Sequence, residues 1–409
     1  MNFFKRISVL LLIIFLFPIF TTADDLDDEE TNYISTLATS SNFESINLAS
    51  KYCLVLERST NTVLFEQSGY TKTAMASTTK IMTAIIALEN SSLSDIVQIS
   101  SKAAHTGGST LGIYTDTTMT MENLLYGLLL RSGNDCAVAI AEHIGGSLEG
   151  FASLMNKKAK SLNLRNTNFV TPHGLDNEQH YTTAYDLAIL TNYALKNETF
   201  NKIVGTKSCS ITVGDSSKTI TNTHELLGIT EGLYGVKTGF TGNAGRCLVS
   251  ACKRDNLDII IVVLGANTKK QRTLDSVNLI NYIYKNYEMY DFKNLIDCTF
   301  SNFLNNYSSQ ILVTKSTNSP QFVSSKLSTY IFPIKKMYIE KINCSIYTLR
   351  QIKPPISRGT KIGLIQISVN NIPIINLDIL LKNNLEKKNF KQYFIQILKT
   401  ISSYSRNQI

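Results

Sequence analysis

Residues 257–266 (LDIIIVVLGA) are apolar almost without a break. The run is about half the length a helix needs to cross a bilayer, and it is too apolar to face water. It is expected as a strand buried on both faces. Cys247 to Cys252 lie just upstream, across the turn-forming Arg254-Asp255-Asn256, as its antiparallel partner. Near the other end of the same region, residues 52–56 (YCLVL) and 62–66 (TVLFE) flank Arg58-Ser59-Thr60-Asn61 and read as a hairpin. Between these pairs the period changes. Ile81, Met82, Ile85, Ile86 and Leu88 recur at helical spacing behind Ser77, a good N-cap type. Residues 121–130 and 137–144 predict two more helices, with the polar loop Arg131-Ser132-Gly133-Asn134-Asp135 between them. Strands, then helices, then strands imply an α+β domain on an antiparallel sheet.

The chain's 409 residues exceed one ordinary domain. The character changes near residue 290. From Phe292 to Leu381 short apolar or alternating runs such as Gln310-Ile311-Leu312-Val313 and Leu364-Ile365-Gln366-Ile367 sit between Pro, Asn and Ser, which predicts a small all-β sandwich over 291–381. Residues 382–409 change again. Phe390, Tyr393, Phe394, Ile397, Leu398, Ile401 and Tyr404 share one helical face, while six basic residues and one acid give the segment a net charge of +5. A basic amphipathic helix with aromatics on its apolar face is expected to lie on an anionic membrane surface.

At the N-terminus Lys5 and Arg6 precede an apolar run to Phe20, followed by Thr21-Thr22-Ala23. This is the pattern of a cleaved export signal over 1–23. The acidic, polar stretch 24–44 is expected to be a solvated leader. The seven cysteines include no CxxC pair, and the five histidines no HExxH, so neither a metal nor a cofactor is expected. They are read as single buried thiols. A net charge of +8 without a basic, aromatic-interleaved groove gives no sign of a nucleic-acid partner.

Three short motifs carry the chemistry: Ser77-Thr78-Thr79-Lys80, Ser132-Gly133-Asn134 and Lys237-Thr238-Gly239. A hydroxyl is a poor nucleophile until a base takes its proton. Residues three apart on a helix share a face, so Lys80 can reach the oxygen of Ser77. A lysine is a base only when neutral, and burial beside a second cation such as Lys237 lowers its pKa. Ser132 is suited to relay a proton. Asn134 is suited to hold a substrate amide or orient Lys80. Lys237 and Thr238 suit a carboxylate. His173 and Asp176 invite a Ser-His-Asp reading, but Lys80 already supplies a base, and PHGLD is read as a structural turn through Gly174.

Longer stretches around these motifs, including MASTTKIMTAIIALE (75–89), LLLRSGNDCAVAIAEHIGG (128–146), NTNFVTPHGLD (166–176), GVKTGFTGNAGRCLVSACKRD (235–255) and IKPPISRGTKIGLIQI (352–367), are similar to serine-type D-alanyl-D-alanine carboxypeptidases, the low-molecular-mass penicillin-binding proteins. The resemblance covers about residues 45–385. It implies a penicillin-recognising, transpeptidase/β-lactamase-like catalytic domain over 45–290, a C-terminal β-sandwich and a membrane-attached tail. It also implies removal of the terminal D-Ala from peptidoglycan stem peptides, inhibition by β-lactam antibiotics, and a role in cell wall biogenesis, cell shape or sporulation on the outer face of the cytoplasmic membrane. By position Ser77 would be acylated, Lys80 would be the base and Ser132 would assist proton transfer. Lys237 and Thr238 would bind the terminal carboxylate, and the N–H groups of Ser77 and Phe240 would form the oxyanion hole. Arg272 is read as a surface charge, with carboxylate binding as its alternative.

Two other functions are open. A class A β-lactamase uses S-D-N and an E-x-x-L-N glutamate. Here the loop is S-G-N, and no such glutamate occurs between residues 134 and 237. A wall-binding or sporulation-associated scaffold would have no need of an intact Ser77, Lys80, Ser132 and Lys237.

Overall fold

The computed structural model describes residues 46–406, so the expected export signal and acidic leader lie outside the described residues. Strands β1 (Tyr52–Glu57) and β2 (Val63–Gln67) form the first hairpin. Strands β3 (Leu233–Thr241), β4 (Gly245–Arg254) and β5 (Leu257–Ala266) form a meander. All five join one antiparallel sheet in the order β2-β1-β5-β4-β3. Every residue of β5 except Asp258 is buried. The reason is visible in its partner β1. Leu54 and Leu56 enter one apolar core, and Cys53 and Val55 enter the other, so the sheet is covered on both faces.

One face carries a helical lobe: α1 (Lys80–Asn90), α2 (Met121–Leu130), α3 (Asn134–Gly145), α4 (Leu148–Ser161) and α5 (Ala184–Ala194). The other face is covered by α6 (Lys269–Asn286), whose Leu279, Ile280 and Ile283 are fully buried. Thr120, Ser147, Thr183 and Thr268 cap α2, α4, α5 and α6 with their side-chain oxygens.

Ser77 departs from the N-cap expectation. It lies inside a 3-10 turn, Ala76–Thr79, that runs directly into α1. Likewise α3 starts at Asn134 rather than near Ala137, because Asp135 turns back to bond the N–H groups of Leu111, Gly112 and Cys136.

The C-terminal region is β-rich. Strands β6 (Phe322–Ser324), β7 (Ile342–Thr348), β8 (Lys361–Val369) and β9 (Ile372–Leu381) form a sheet in the order β6-β9-β8-β7. The all-β expectation missed one helix, α7 (Lys293–Asn302). Its cause is a stripe of Phe292, Ile296, Phe300 and Phe303 at helical spacing, which packs into the core of this region. The terminal helix α8 spans Phe390–Arg406 and so starts later than expected. Residues ahead of it are pinned to the β-rich region: Leu385 is buried and bridges Ile356, and Lys387 bridges Ser316. Phe390, Phe394, Ile397, Leu398 and Ile401 on α8 are all exposed, and so is Ile395. The side chain of Tyr404 lies outside the described residues. Among the described residues no helix is long and apolar enough to cross a membrane. All seven cysteines are free thiols, but only Cys53, Cys136, Cys247 and Cys252 are buried as expected; Cys209 and Cys344 are half-buried and Cys298 is exposed.

Candidate active site

The Ala76–Thr79 turn meets the edge strand β3 where helical lobe and sheet join. The approach is close. A Cβ on Gly239 would stand 3.1 Å from the backbone nitrogen of Ser77, so any larger residue would push turn and strand apart by a few tenths of an ångström. Ala76 has φ +48 and Ser132 has φ +62. Left-handed backbone at non-glycine residues costs about 1–3 kcal/mol each and gathers at functional sites. Here Ala76 immediately precedes the first motif and Ser132 opens the second.

Lys80 is fully buried. Its Nζ donates to Ser77 Oγ at 2.8 Å, to Asn134 Oδ1 at 2.7 Å and to the carbonyl of His173 at 2.9 Å. Three acceptors suit the ammonium; the neutral amine keeps two N–H donors, for Asn134 and the His173 carbonyl, and turns its lone pair to the Ser77 hydroxyl, which then donates to it. Burial holds its pKa well below the usual lysine range, and the nearby Lys237 ammonium pushes in the same direction. The arrangement favours the neutral amine one hydrogen bond from a hydroxyl. Asn134 is committed at both ends, because its Nδ2 donates to the carbonyl of Gly107 at 2.7 Å. Its oxygen is in contact with Lys80, the group that the second of its two expected roles involves.

Lys237 is also buried, inside β3 rather than at its entry, and its Nζ donates to the carbonyl of Thr238 at 3.0 Å. Burial, followed by the Arg272 guanidinium, lowers its pKa to about 7. Thr238 shares a hydrogen bond of 2.7 Å with the Thr223 hydroxyl. Phe240 stands at the rim with an exposed ring, and the Arg246 guanidinium lies 3.6 Å from its centre. The structure thus brings Ser77, Lys80 and Asn134 into direct contact, sets Lys237 within electrostatic reach of Lys80, and lays β3 against the serine turn. Ser132, buried, immediately precedes Gly133 and Asn134.

Arg272 is not a surface charge. It is buried on α6, paired with Glu225, and acts electrostatically on Lys237. Sequence reasoning missed Glu225 and Thr223, which lie in a loop without motif character. His173 is no base in this geometry. Its Nδ1 accepts from the N–H of Leu175 at 3.1 Å, and burial, with Lys80 next, lowers its pKa to about 3. Asp176 accepts from Thr241 Oγ1 at 2.5 Å, tying the PHGLD loop to the end of β3.

A family model described as D-alanyl-D-alanine carboxypeptidase matches residues 38–268. The relative named D-alanyl-D-alanine carboxypeptidase DacF from Bacillus subtilis is 33% identical over 346 residues, 83% of this chain and 87% of its own. Among solved structures, the D-alanyl-D-alanine carboxypeptidase DacD from Francisella tularensis aligns with a TM-score of 0.71 at 26% identity, covering 86% of this chain and 98% of its own. The Streptomyces K15 DD-transpeptidase aligns with a TM-score of 0.57 at 32% identity over 59% of this chain and 98% of its own.

Proposed function

The chain belongs to the D-alanyl-D-alanine carboxypeptidase family, and from that premise we propose how its own residues carry out the reaction. The substrate is a peptidoglycan stem peptide ending in D-Ala-D-Ala. The neutral Lys80 amine takes the proton of Ser77 as Oγ attacks the carbonyl between the two D-alanines. The N–H groups of Ser77 and Phe240 take up the charge that develops on the carbonyl oxygen. Ser132 passes a proton to the departing amine, and D-Ala leaves. Water then cleaves the Ser77 ester and restores the enzyme. Lys237 and Thr238 hold the terminal carboxylate, with Arg272 behind Lys237. A β-lactam enters the same route and stays as an ester. The observation that carries this reading is the buried Lys80 amine, 2.8 Å from Ser77 Oγ and held by Asn134. Incubation of the mature protein with a D-Ala-D-Ala pentapeptide, followed by mass spectrometry, tests it: release of one D-Ala is expected, and an unchanged pentapeptide would exclude the activity.

The two lysines need opposite charge states. Lys80 works deprotonated and Lys237 protonated. On the alkaline side Lys237 loses its proton as pH rises through about 7 in the free enzyme. A bound carboxylate stabilises the cation and moves that loss upward. The alkaline limb of kcat/KM should therefore start near neutrality, and that of kcat at higher pH. A pH profile with coincident limbs would argue against Lys237 as the carboxylate partner.

The export pattern at residues 1–23 and the uncovered face of α8 support a location on the outer side of the cytoplasmic membrane, with α8 lying on the anionic lipid surface. Exposed Phe390, Phe394, Ile397, Leu398 and Ile401 each offer up to about 1.5–3 kcal/mol on burial, and each basic residue near the surface adds about 1 kcal/mol. Leu385 belongs to the β-rich region, so the clean truncation point is Asn389. A protein ending there should hydrolyse soluble peptide normally but no longer sediment with anionic vesicles. Equal sedimentation of both forms would show that α8 is not the anchor.

A further inference from the structure

We propose that His180 is a positioning residue for the nucleophile: through the Thr79 hydroxyl it holds the carbonyl of Ala76, and with it the peptide unit whose other end is the N–H of Ser77. This rests on the acylation reading of Ser77 and adds a group that none of the three motifs contains. His180 lies in the chain between Asp176 and α5 and is buried at 3% exposure. Its ring is held edge-on to Phe169, with centroids 5.8 Å apart.

The hydrogen bonds around the ring have one consistent direction. Nδ1 accepts from the backbone N–H of Val170 at 2.9 Å. The neutral ring then carries its proton on Nε2. Burial favours that neutral form, lowering the pKa to about 4. Nε2 is 2.8 Å from Thr79 Oγ1, and Thr79 Oγ1 lies 2.8 Å from the carbonyl oxygen of Ala76. The hydroxyl has one hydrogen. It gives that hydrogen to Ala76 and accepts from His180.

The end of this chain matters chemically. Ala76 is the left-handed residue of the serine turn, and its carbonyl and the Ser77 N–H belong to one planar amide. A hydrogen bond on the oxygen fixes the direction of the N–H at the far side of that plane and polarises it. Gly174 closes on the same oxygen, for a Cβ there would stand 1.9 Å from it. The carbonyl is thus seated from behind, while the Ser77 nitrogen lies against Gly239 of β3. Because the N–H is asked to stabilise charge that exists only in the transition state, loss of the latch should appear in the rate of acylation and not in noncovalent affinity.

Two substitutions divide the roles of the ring. In His180→Asn the amide oxygen can take the place of Nδ1 and keep the Val170 bond, but the side chain is too short to reach Thr79. In His180→Gln the longer side chain brings an amide N–H to the position of Nε2 and keeps the Thr79 bond. Saturation kinetics with a chromogenic penicillin give the limiting acylation rate and the dissociation constant separately. His180→Asn should lower the limiting rate on the order of 100-fold, at unchanged dissociation constant, and His180→Gln should retain most of it. Thr79→Val, nearly the same shape without the hydroxyl, should reproduce the Asn result, and Thr79→Ser should recover the rate. These last two also decide the matter if His180→Asn does not fold. Wild-type rates in folded Asn and Val variants would overturn the latch while leaving the acylation reading intact. So would equal losses in the Asn and Gln variants, or a loss seen only in affinity. Failure of the unsubstituted protein to acylate would instead overturn the reading of Ser77 on which the latch depends.

Discussion

A Ser77→Ala protein should be recovered folded, remain unlabelled by fluorescent penicillin, and release D-Ala at a rate lower by on the order of 10⁶-fold. The fold should survive because the loss is a single oxygen on a half-buried residue. Lys80 keeps its other two acceptors, Asn134 Oδ1 and the carbonyl of His173, so no buried amine is left unpaired. The measurement is gel fluorescence beside thermal unfolding. Labelling at the normal level, with a normal unfolding midpoint, would mean that the nucleophile is another residue and would remove the basis of the proposed mechanism.

The base gives the second large effect. Lys80→Arg keeps the positive charge, but a guanidinium does not deprotonate near neutral pH. Its planar fork also fails to reach three acceptors placed 2.7–2.9 Å around a tetrahedral amine. Positioned general bases contribute about 10²–10⁴-fold, and the acylation rate should fall by at least that range. Substrate binding through Lys237 and Thr238 should persist. A Lys80→Arg protein that acylates within a few-fold of normal would require a different proton acceptor. His173 does not fit that part, because its ring nitrogen is already committed to the N–H of Leu175.

Much of the sheet was legible because its strands are buried on both faces. The apolar run at 257–266 has no other stable placement in a soluble domain, and the hairpin at 52–66 carries its own turn. The three motifs were legible for a different reason: their residue types are costly to bury unless they meet. What escaped was structure set by contacts remote in sequence. Ser77 looked like a cap, yet the backbone at Ala76 folds into a left-handed turn against β3 and Gly174, neither of which is local. Arg272 looked exposed because its partner, Glu225, lies on another element 47 residues away. α7 was hidden because Lys293, Asn294, Asp297, Thr299, Ser301 and Asn302 interrupt its apolar positions and imitate a loop. Nothing near His180 announces a contact with Thr79, 101 residues earlier in the chain.

β1 pairs with β5, so the centre of the sheet joins residues 52–57 to residues 257–266. The turn carrying Ser77 follows β1 and β2 closely, but its wall is β3, from the far end of the domain. Closing so long a loop before any reward is paid makes assembly slow and late. The serine comes early in the chain, and its surroundings are finished only when residues 233–266 are in place. The burial and the Lys237 charge that lower the Lys80 pKa both need that closure. The order of the strands thus ties the surroundings of Ser77 to closure of the whole domain.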